Sequence, residues 1–338
     1  MPAAGKPPRG KRRVSLFEVL AAAFLDFVLA DPWHWPHPVQ AMGGIISGYA
    51  KVCIQLNPPP WMMRLLGILL AGLLIGGSGL FSAAVIDWVH RGLGDSLGKG
   101  LGSWLGGGLE VIWLASCFAG RSLRRAARDV LVPLAQNDLA TARQRLAQYV
   151  GRDTDDLSRS EILRAVLETV SENATDGVLA PLFYALLGAL LGLGSVPLAM
   201  AYKAASTLDS MVGYRRAPYT HLGWFSARLE DGLTWVPCRL MVLTIGVLSG
   251  RPRFVWRVCG RDAIADPSPN AGWSECAYAA ALGVQVGGEN VYKGEVIQKP
   301  KLGIAERPIE PVVIEQALNL TRYSFLLWLG IGILGLWL

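Results

Sequence analysis

Three carboxylates, Glu168, Glu172 and Asp176, recur at spacing four in Glu168-Thr-Val-Ser171-Glu172-Asn173-Ala-Thr175-Asp176-Gly177. Residues four apart share one face of a helix. Like charges on one face repel unless a cation, a cationic substrate or solvent stands beside them. Carboxylates mixed with hydroxyl and amide groups suit Mg²⁺, which takes oxygen ligands and keeps waters and substrate phosphates in its shell. An apolar run, Val178 to Tyr202, follows at once, and Lys203, Asp209, Ser210 and Arg215 follow that. Ionisable groups beside a membrane-length apolar run are functional candidates. The plain alternatives are a solvated helix face and a Lys203 that snorkels from a helix end.

Three other stretches carry polar groups at informative spacing. In Asp26 to Gly43, three prolines fix an extended path between two acids and two histidines. Such a loop can present Asp31 and His37 to a substrate, or it can be an interfacial turn with Trp33 and Trp35 as belt aromatics. In Gly223 to Asp231, Arg228 and Asp231 stand three apart and can pair. In Asp262 to Glu275, prolines and glycine around Ser268, Asn270 and Gly272 predict a turn that exposes polar groups beside a helix N-terminus, a place for an anion. Gly283 to Gly288 is another place where backbone can approach a ligand closely. No phosphate-loop, GxSxG or HExxH pattern occurs.

The elements that must position these groups belong to a membrane protein. The 338-residue chain is 52% hydrophobic and only 17% charged, below the usual charge of soluble domains. Its net charge of +6 reads as cytoplasmic-loop bias, because no basic stripe or nucleic-acid motif accompanies it. The five cysteines have neither zinc nor disulfide spacing and read as small buried hydrophobes. The fold class is all-α and polytopic, with four to six membrane segments, some re-entrant.

Leu65 to Ile86, Leu101 to Gly120, Val178 to Tyr202, Leu233 to Gly250 and Tyr323 to Leu338 are the candidate spans. Val14 to Ala30 carries two acids and is better placed as a non-spanning element, which leaves the basic clusters Arg121 to Arg128 and Arg251 to Arg261 cytoplasmic. Residues 1–13 read as a disordered basic N-terminus. Residues 14–338 form one membrane-embedded domain, with a charged helical region at 121–160 and a loop-rich region at 251–321. Ser158 and Glu161 make a capping box, so a helix starts near Arg159 and carries Glu168 and Glu172. Gly177 and Pro181 predict its end. Gly192 to Pro197 is a breaker that folds the following run back on itself and brings Asp209 near Asp176.

Five segments, LDFVLADPWHWPHPVQAMG, SRSEILRAVLETVSENATDGVLAPLFY, YKAASTLDSMVGY, GWFSARLED and SPNAGWSE, resemble in order and spacing the cobalamin-biosynthesis CobD/CbiB family of membrane adenosylcobinamide-phosphate synthases. The resemblance runs from Leu16 to Gly303. Ser206 stands where the family often has Asn, and Asp266 where a His commonly precedes the SPN motif. Neither position is therefore expected to be essential.

The resemblance implies an amide ligase. It would join the propionate carboxylate of adenosylcobyric acid to aminopropanol or its phosphate, with ATP and Mg²⁺. On that basis Glu172, Asp176 and Asp209 are the expected metal ligands. Asp31, His37, Glu168, Lys203 and Asp231 are the expected catalytic groups. Asn173, Lys203, Ser210, Arg228, Ser268, Asn270 and Gly272 are the expected substrate or phosphate contacts. The expected setting is the inner membrane, multi-pass, without nucleic acid, in contact with other late cobalamin-assembly enzymes and as a homo-oligomer. A transporter or membrane sensor that shares the fold is the alternative.

Overall fold

The computed structural model describes residues 16–28, 38–93 and 99–337. Asp31 and His37 lie outside the described residues, as does the basic N-terminus. Helices α1 (Leu16–Val28), α2 (Pro38–Leu56), α3 (Pro60–Trp88) and α4 (Lys99–Cys117) come first. Then follow α5 (Gly120–Ala135), α6 (Leu139–Leu146), α7 (Arg159–Asn173), a π-helical turn (Ala174–Leu179) and α8 (Ala180–Leu190). The chain continues with α9 (Ser195–Val212), α10 (Trp224–Leu248), α11 (Pro252–Asp262), α12 (Ala271–Leu282), strands β1 (Gln285–Tyr292) and β2 (Glu295–Gly303), and α13 (Pro311–Trp337).

Among the described residues, five helical stretches are long and apolar enough to cross a membrane: Pro60–Gly92, Gly100–Ala135, Arg159–Leu190, Trp224–Leu248 and Pro311–Leu336. The helical, polytopic class read from composition is the class observed. Large apolar side chains such as Leu73, Leu80, Phe81 and Trp104 point outward, as a surface solvated by lipid requires. All five cysteines are free and buried. Helix α9 lies at the centre and packs on α2, α3, α4, α8 and α10.

The capping box is present. Ser158 Oγ accepts from the Glu161 N–H at 3.4 Å, and Glu161 Oε2 accepts from the Ser158 N–H at 2.7 Å. The helix it starts does not stop at Gly177, however. It runs through the π-turn and Pro181 to Leu190. Pro181 has no N–H to give the carbonyl four residues back, that of Gly177. That carbonyl accepts from the Ala119 N–H instead, at 2.9 Å, so the proline breaks no hydrogen-bond balance. Pro237 within α10 is served in the same way: the Leu233 carbonyl accepts from Tyr184 Oη at 2.9 Å.

Val178 to Tyr202 is correspondingly not one span. The chain turns at Leu191 to Gly194, and α9 returns along α8. The Leu193 and Gly194 N–H groups both donate to the Gly188 carbonyl, at 2.9 and 3.1 Å. Gly194 has φ +94°, a conformation that favours glycine. A Cβ on Gly188 would stand 2.1 Å from the Gly194 carbonyl oxygen.

Residues 251–321, read as loop-rich, hold α11, α12 and an antiparallel β-hairpin, and α13 begins at Pro311 rather than near Tyr323. The hairpin turns at Lys293-Gly294, both at positive φ, as a tight two-residue turn needs. Gly188→Val is expected to open the α8–α9 turn, because backbone cannot yield as a flexible side chain can. The variant should lose monodisperse protein in detergent, measured by size-exclusion chromatography, while Gly72→Val, with open space around it, should not.

Candidate active site

Four elements bring carboxylates together. The α7 face supplies Glu168 and Glu172, and the π-turn supplies Asp176, at the kind of helix irregularity frequent at functional sites. The returning α9 supplies Asp209 and Lys203. Asp176 lies within electrostatic reach of Glu230, Glu172, Asp209 and Lys203. Helix α10 supplies Glu230 and Asp231, and both lie within reach of Asp209. Glu172, Asp176, Lys203, Asp209 and Asp231 are all half-buried. The expected return of Asp209 to Asp176 is thus the observed arrangement.

The structure separates Glu168 from the other two members of its spacing-four series. Glu168 is 2% exposed and both its oxygens are taken. Oε2 is ion-paired with Arg152, and Oε1 accepts the Gly287 N–H at 2.9 Å and lies 3.6 Å from Arg164 Nη1. Arg152 also donates to Asn290 Oδ1 at 2.8 Å, and Arg164 donates to the carbonyls of Gly287 and Glu289. Glu168 therefore rivets β1 to α7. Gly287 must be glycine for this docking: it has φ +82°, and a Cβ would stand 1.9 Å from the Pro300 carbonyl oxygen.

That docking carries Lys299 of β2 to the cluster. Its Nζ lies 3.6 Å from Glu275 Oε1 on α12 and within electrostatic reach of Glu172 and Glu168. Burial alone would lower the Lys299 ammonium. The carboxylates of Glu275, Glu172 and Glu168 outweigh it and hold the pKa above the usual lysine value. Glu275 is 1% exposed, and neither oxygen has a hydrogen-bond partner. Burial pushes its carboxyl well above the usual carboxylate range, against the pull of Lys299. Glu230 is buried too, but Tyr202 Oη lies 3.4 Å from its Oε1 and Thr234 donates to the same oxygen.

The remaining expected residues divide. Arg228 is exposed and, with Arg215, lies within electrostatic reach of Asp231. Ser268 Oγ accepts the N–H groups of Asn270 at 3.3 Å and Ala271 at 3.1 Å. Asn270 is buried, donates to the Asp231 carbonyl at 2.8 Å and accepts from Arg239 at 2.8 Å. A Cβ on Gly272 would stand 2.5 Å from Asp266 Cβ. Asn270 ties the start of α12 to α10 beside Asp231, while Ser268 and Gly272 shape the turn that holds it. Asn173 and Ser210 are exposed, and each bonds a carbonyl of its own helix, Thr169 at 2.9 Å and Thr207 at 3.0 Å.

Sequence reasoning did not select Glu230, Glu275 or Lys299. Glu275 had one signal, a lone acid in the otherwise uncharged Ala271-Gly-Trp-Ser-Glu-Cys-Ala-Tyr. Lys299 had none, since only the hairpin register places it.

Among the described residues, no three His, Cys, Asp or Glu side chains form a ready-made metal cage. Mg²⁺ rarely uses one. It binds through one or two carboxylates and completes its shell with waters and phosphates. Half-buried Glu172, Asp176 and Asp209, beside the orphaned oxygens of Glu275, are an oxygen donor set that fits such an ion.

A multi-helix membrane protein with an acidic, lysine-flanked cluster at a helical reversal is the class that fold and site define. The family profile described as CobD/Cbib protein matches residues 19–321. The cobalamin biosynthesis protein CobD of Synechocystis sp. is 50% identical over 313 residues, 92% of this chain and 89% of the relative. CbiB of Salmonella typhimurium is 40% identical over 300 residues, 88% of this chain and 89% of the relative. CobD of Citrobacter koseri is 39% identical over 303 residues, 88% of this chain and 90% of the relative. No solved structure matches. The chain belongs to the CobD/CbiB family of cobalamin biosynthesis proteins.

Arg152→Ala leaves buried Glu168 with Arg164 alone and removes the bond to Asn290, and is expected to cost about 3 kcal/mol, the low end for breaking a buried pair. Glu172→Gln relieves like-charge crowding and should leave the thermal midpoint unchanged or raised. Differential scanning of both variants in detergent checks the contrast.

Proposed function

We propose that the chain is a Mg²⁺-dependent amide ligase of the inner membrane. With ATP, it joins (R)-1-amino-2-propanol phosphate, or aminopropanol, to the propionate carboxylate of adenosylcobyric acid. With the phosphorylated amine the product is adenosylcobinamide phosphate. The observation that carries this reading is the convergence of Glu172, Asp176, Asp209 and Asp231 with Lys203, Lys299, Arg215 and Arg228 in one cluster. Family membership supports the corrinoid as substrate.

A carboxylate does not condense with an amine in water unless one of its oxygens becomes a leaving group. Phosphoryl transfer from ATP breaks the β–γ bond and gives an acyl phosphate and ADP. The amine nitrogen then bonds to the carbonyl carbon, and the C–O bond to phosphate breaks with its electrons on phosphate. The extra proton on nitrogen leaves to a base. Lys203, Arg215, Arg228 and Lys299 supply positive charge for transferring phosphate oxygens. Asp231, half-buried and beside Arg228, accepts the amine's proton. Glu172, Asp176 and Asp209 would hold Mg²⁺, which neutralises phosphate charge when bound. Glu168 supports the site by fixing the hairpin that bears Lys299.

Members of the cluster contributed by α12 and β2 lie outside the five membrane-length stretches, which favours chemistry over a transport path. Purified protein with adenosylcobyric acid, ATP, Mg²⁺ and either amine should yield the cobinamide product by mass spectrometry. Absence of product with both amines overturns the ligase reading. Glu172→Gln and Asp176→Asn should each lower turnover by about 100-fold or more, and chelation should stop the wild type until Mg²⁺ is restored. Wild-type turnover in both variants at saturating Mg²⁺ overturns the ion assignment.

A further inference from the structure

A cavity of about 520 Å³ opens away from the carboxylate cluster, on the opposite side of the α7–α8 helix, between α1, α5 and α13. Its floor is apolar, with Leu20, Phe24, Val178, Phe325, Leu326 and Leu329. One end is basic: Arg121, Arg124, Arg128 and Arg322 line it. Arg121 donates to the Phe27 carbonyl at 2.9 Å, and Arg322 lies 4.5 Å over the Phe27 ring. Arg124 and Arg128 share Glu315, at 3.3 and 3.7 Å. With Asp26, four arginines thus face two acids, a net positive end. Arg121, Arg128 and Arg322 are exposed, as are Phe24 and Leu326.

The geometry points to a binding site for an anionic phospholipid, with its phosphate among Arg121, Arg128 and Arg322 and one acyl chain along Phe24, Leu326 and Leu329. The division of the cavity matches the division of the ligand. Phosphate takes charge-assisted bonds from guanidinium groups, and the acyl chain takes the apolar floor. Basic pockets between membrane helices bind anionic headgroups, and a basic cluster such as Arg121 to Arg128 is favoured at the cytoplasmic surface, where anionic lipids lie. A free anion has no use for the apolar floor, and a zwitterionic lipid brings a choline cation that the net positive end repels. This inference does not rest on the ligase reading: the cavity and the carboxylate cluster use different faces of one helix, Val178 on one and Asp176 on the other.

The test is lipid retention by native mass spectrometry after exchange into phosphatidylglycerol or phosphatidylcholine mixed micelles. Wild type should retain phosphatidylglycerol about tenfold better than phosphatidylcholine. Arg121→Ala/Arg322→Ala should erase the preference. Leu326→Trp, which narrows the floor and keeps every arginine, should lose retention of both lipids and covers the case in which the double variant does not fold. Equal retention of both lipids by wild type overturns the proposal. Displacement of phosphatidylglycerol by millimolar inorganic phosphate also overturns it, in favour of a free-anion site.

Discussion

Carboxylates crowded into a half-buried cluster repel one another, and holding them there is the constraint that organises the fold. Each is compensated differently. Glu168 has two arginines and a backbone N–H, and has become part of the scaffold. Glu230 shares Tyr202 and Thr234. Glu275 has Lys299, and Asp231 has two arginines at a distance. Glu172, Asp176 and Asp209 have no ion pair of their own and are balanced from further off, by Lys299, Lys203 and Arg215 within electrostatic reach. A charge fully satisfied by its own protein has little left to offer a substrate.

The helices that hold the cluster are interrupted by proline within membrane-length stretches, and unpaired backbone carbonyls are costly in lipid. Both proline-freed carbonyls described here meet a donor from another helix, Ala119 N–H for Gly177 and Tyr184 Oη for Leu233. These contacts tie α4–α5 and α8 to the segments next to Asp176 and Asp231. Chain breaks that would weaken an isolated helix thus fix the site's walls.

Much of this was legible in the sequence. The capping box at Ser158, the breaker at Gly192 to Pro197 and the apolar runs other than Val178 to Tyr202 are local signals, and each produced the element it implied. The juxtaposition of Asp176 and Asp209 followed from the breaker. What was not legible depends on partners far along the chain. Spacing four cannot tell Glu168 from Glu172, because the difference is Arg152 and the Gly287 N–H, one of them 119 residues away. Gly177 with Pro181 reads as a stop unless the donor from Ala119 is known. Lys299 enters the cluster only through strand register, which Val286 and Gly288 shift by a bulge.

The hairpin is clamped at both ends. Asp153 accepts the N–H groups of Lys293 and Gly294 at the tip, at 3.0 and 2.8 Å, while Arg152, Arg164 and Glu168 hold the strand near its base. It is therefore a wall and not a door. Lys299 reaches the carboxylates from a fixed direction, so a bulky substrate has to approach from the side that the hairpin leaves open. On the ligase reading, exchange of substrate and product then needs no motion of the strand that carries the lysine.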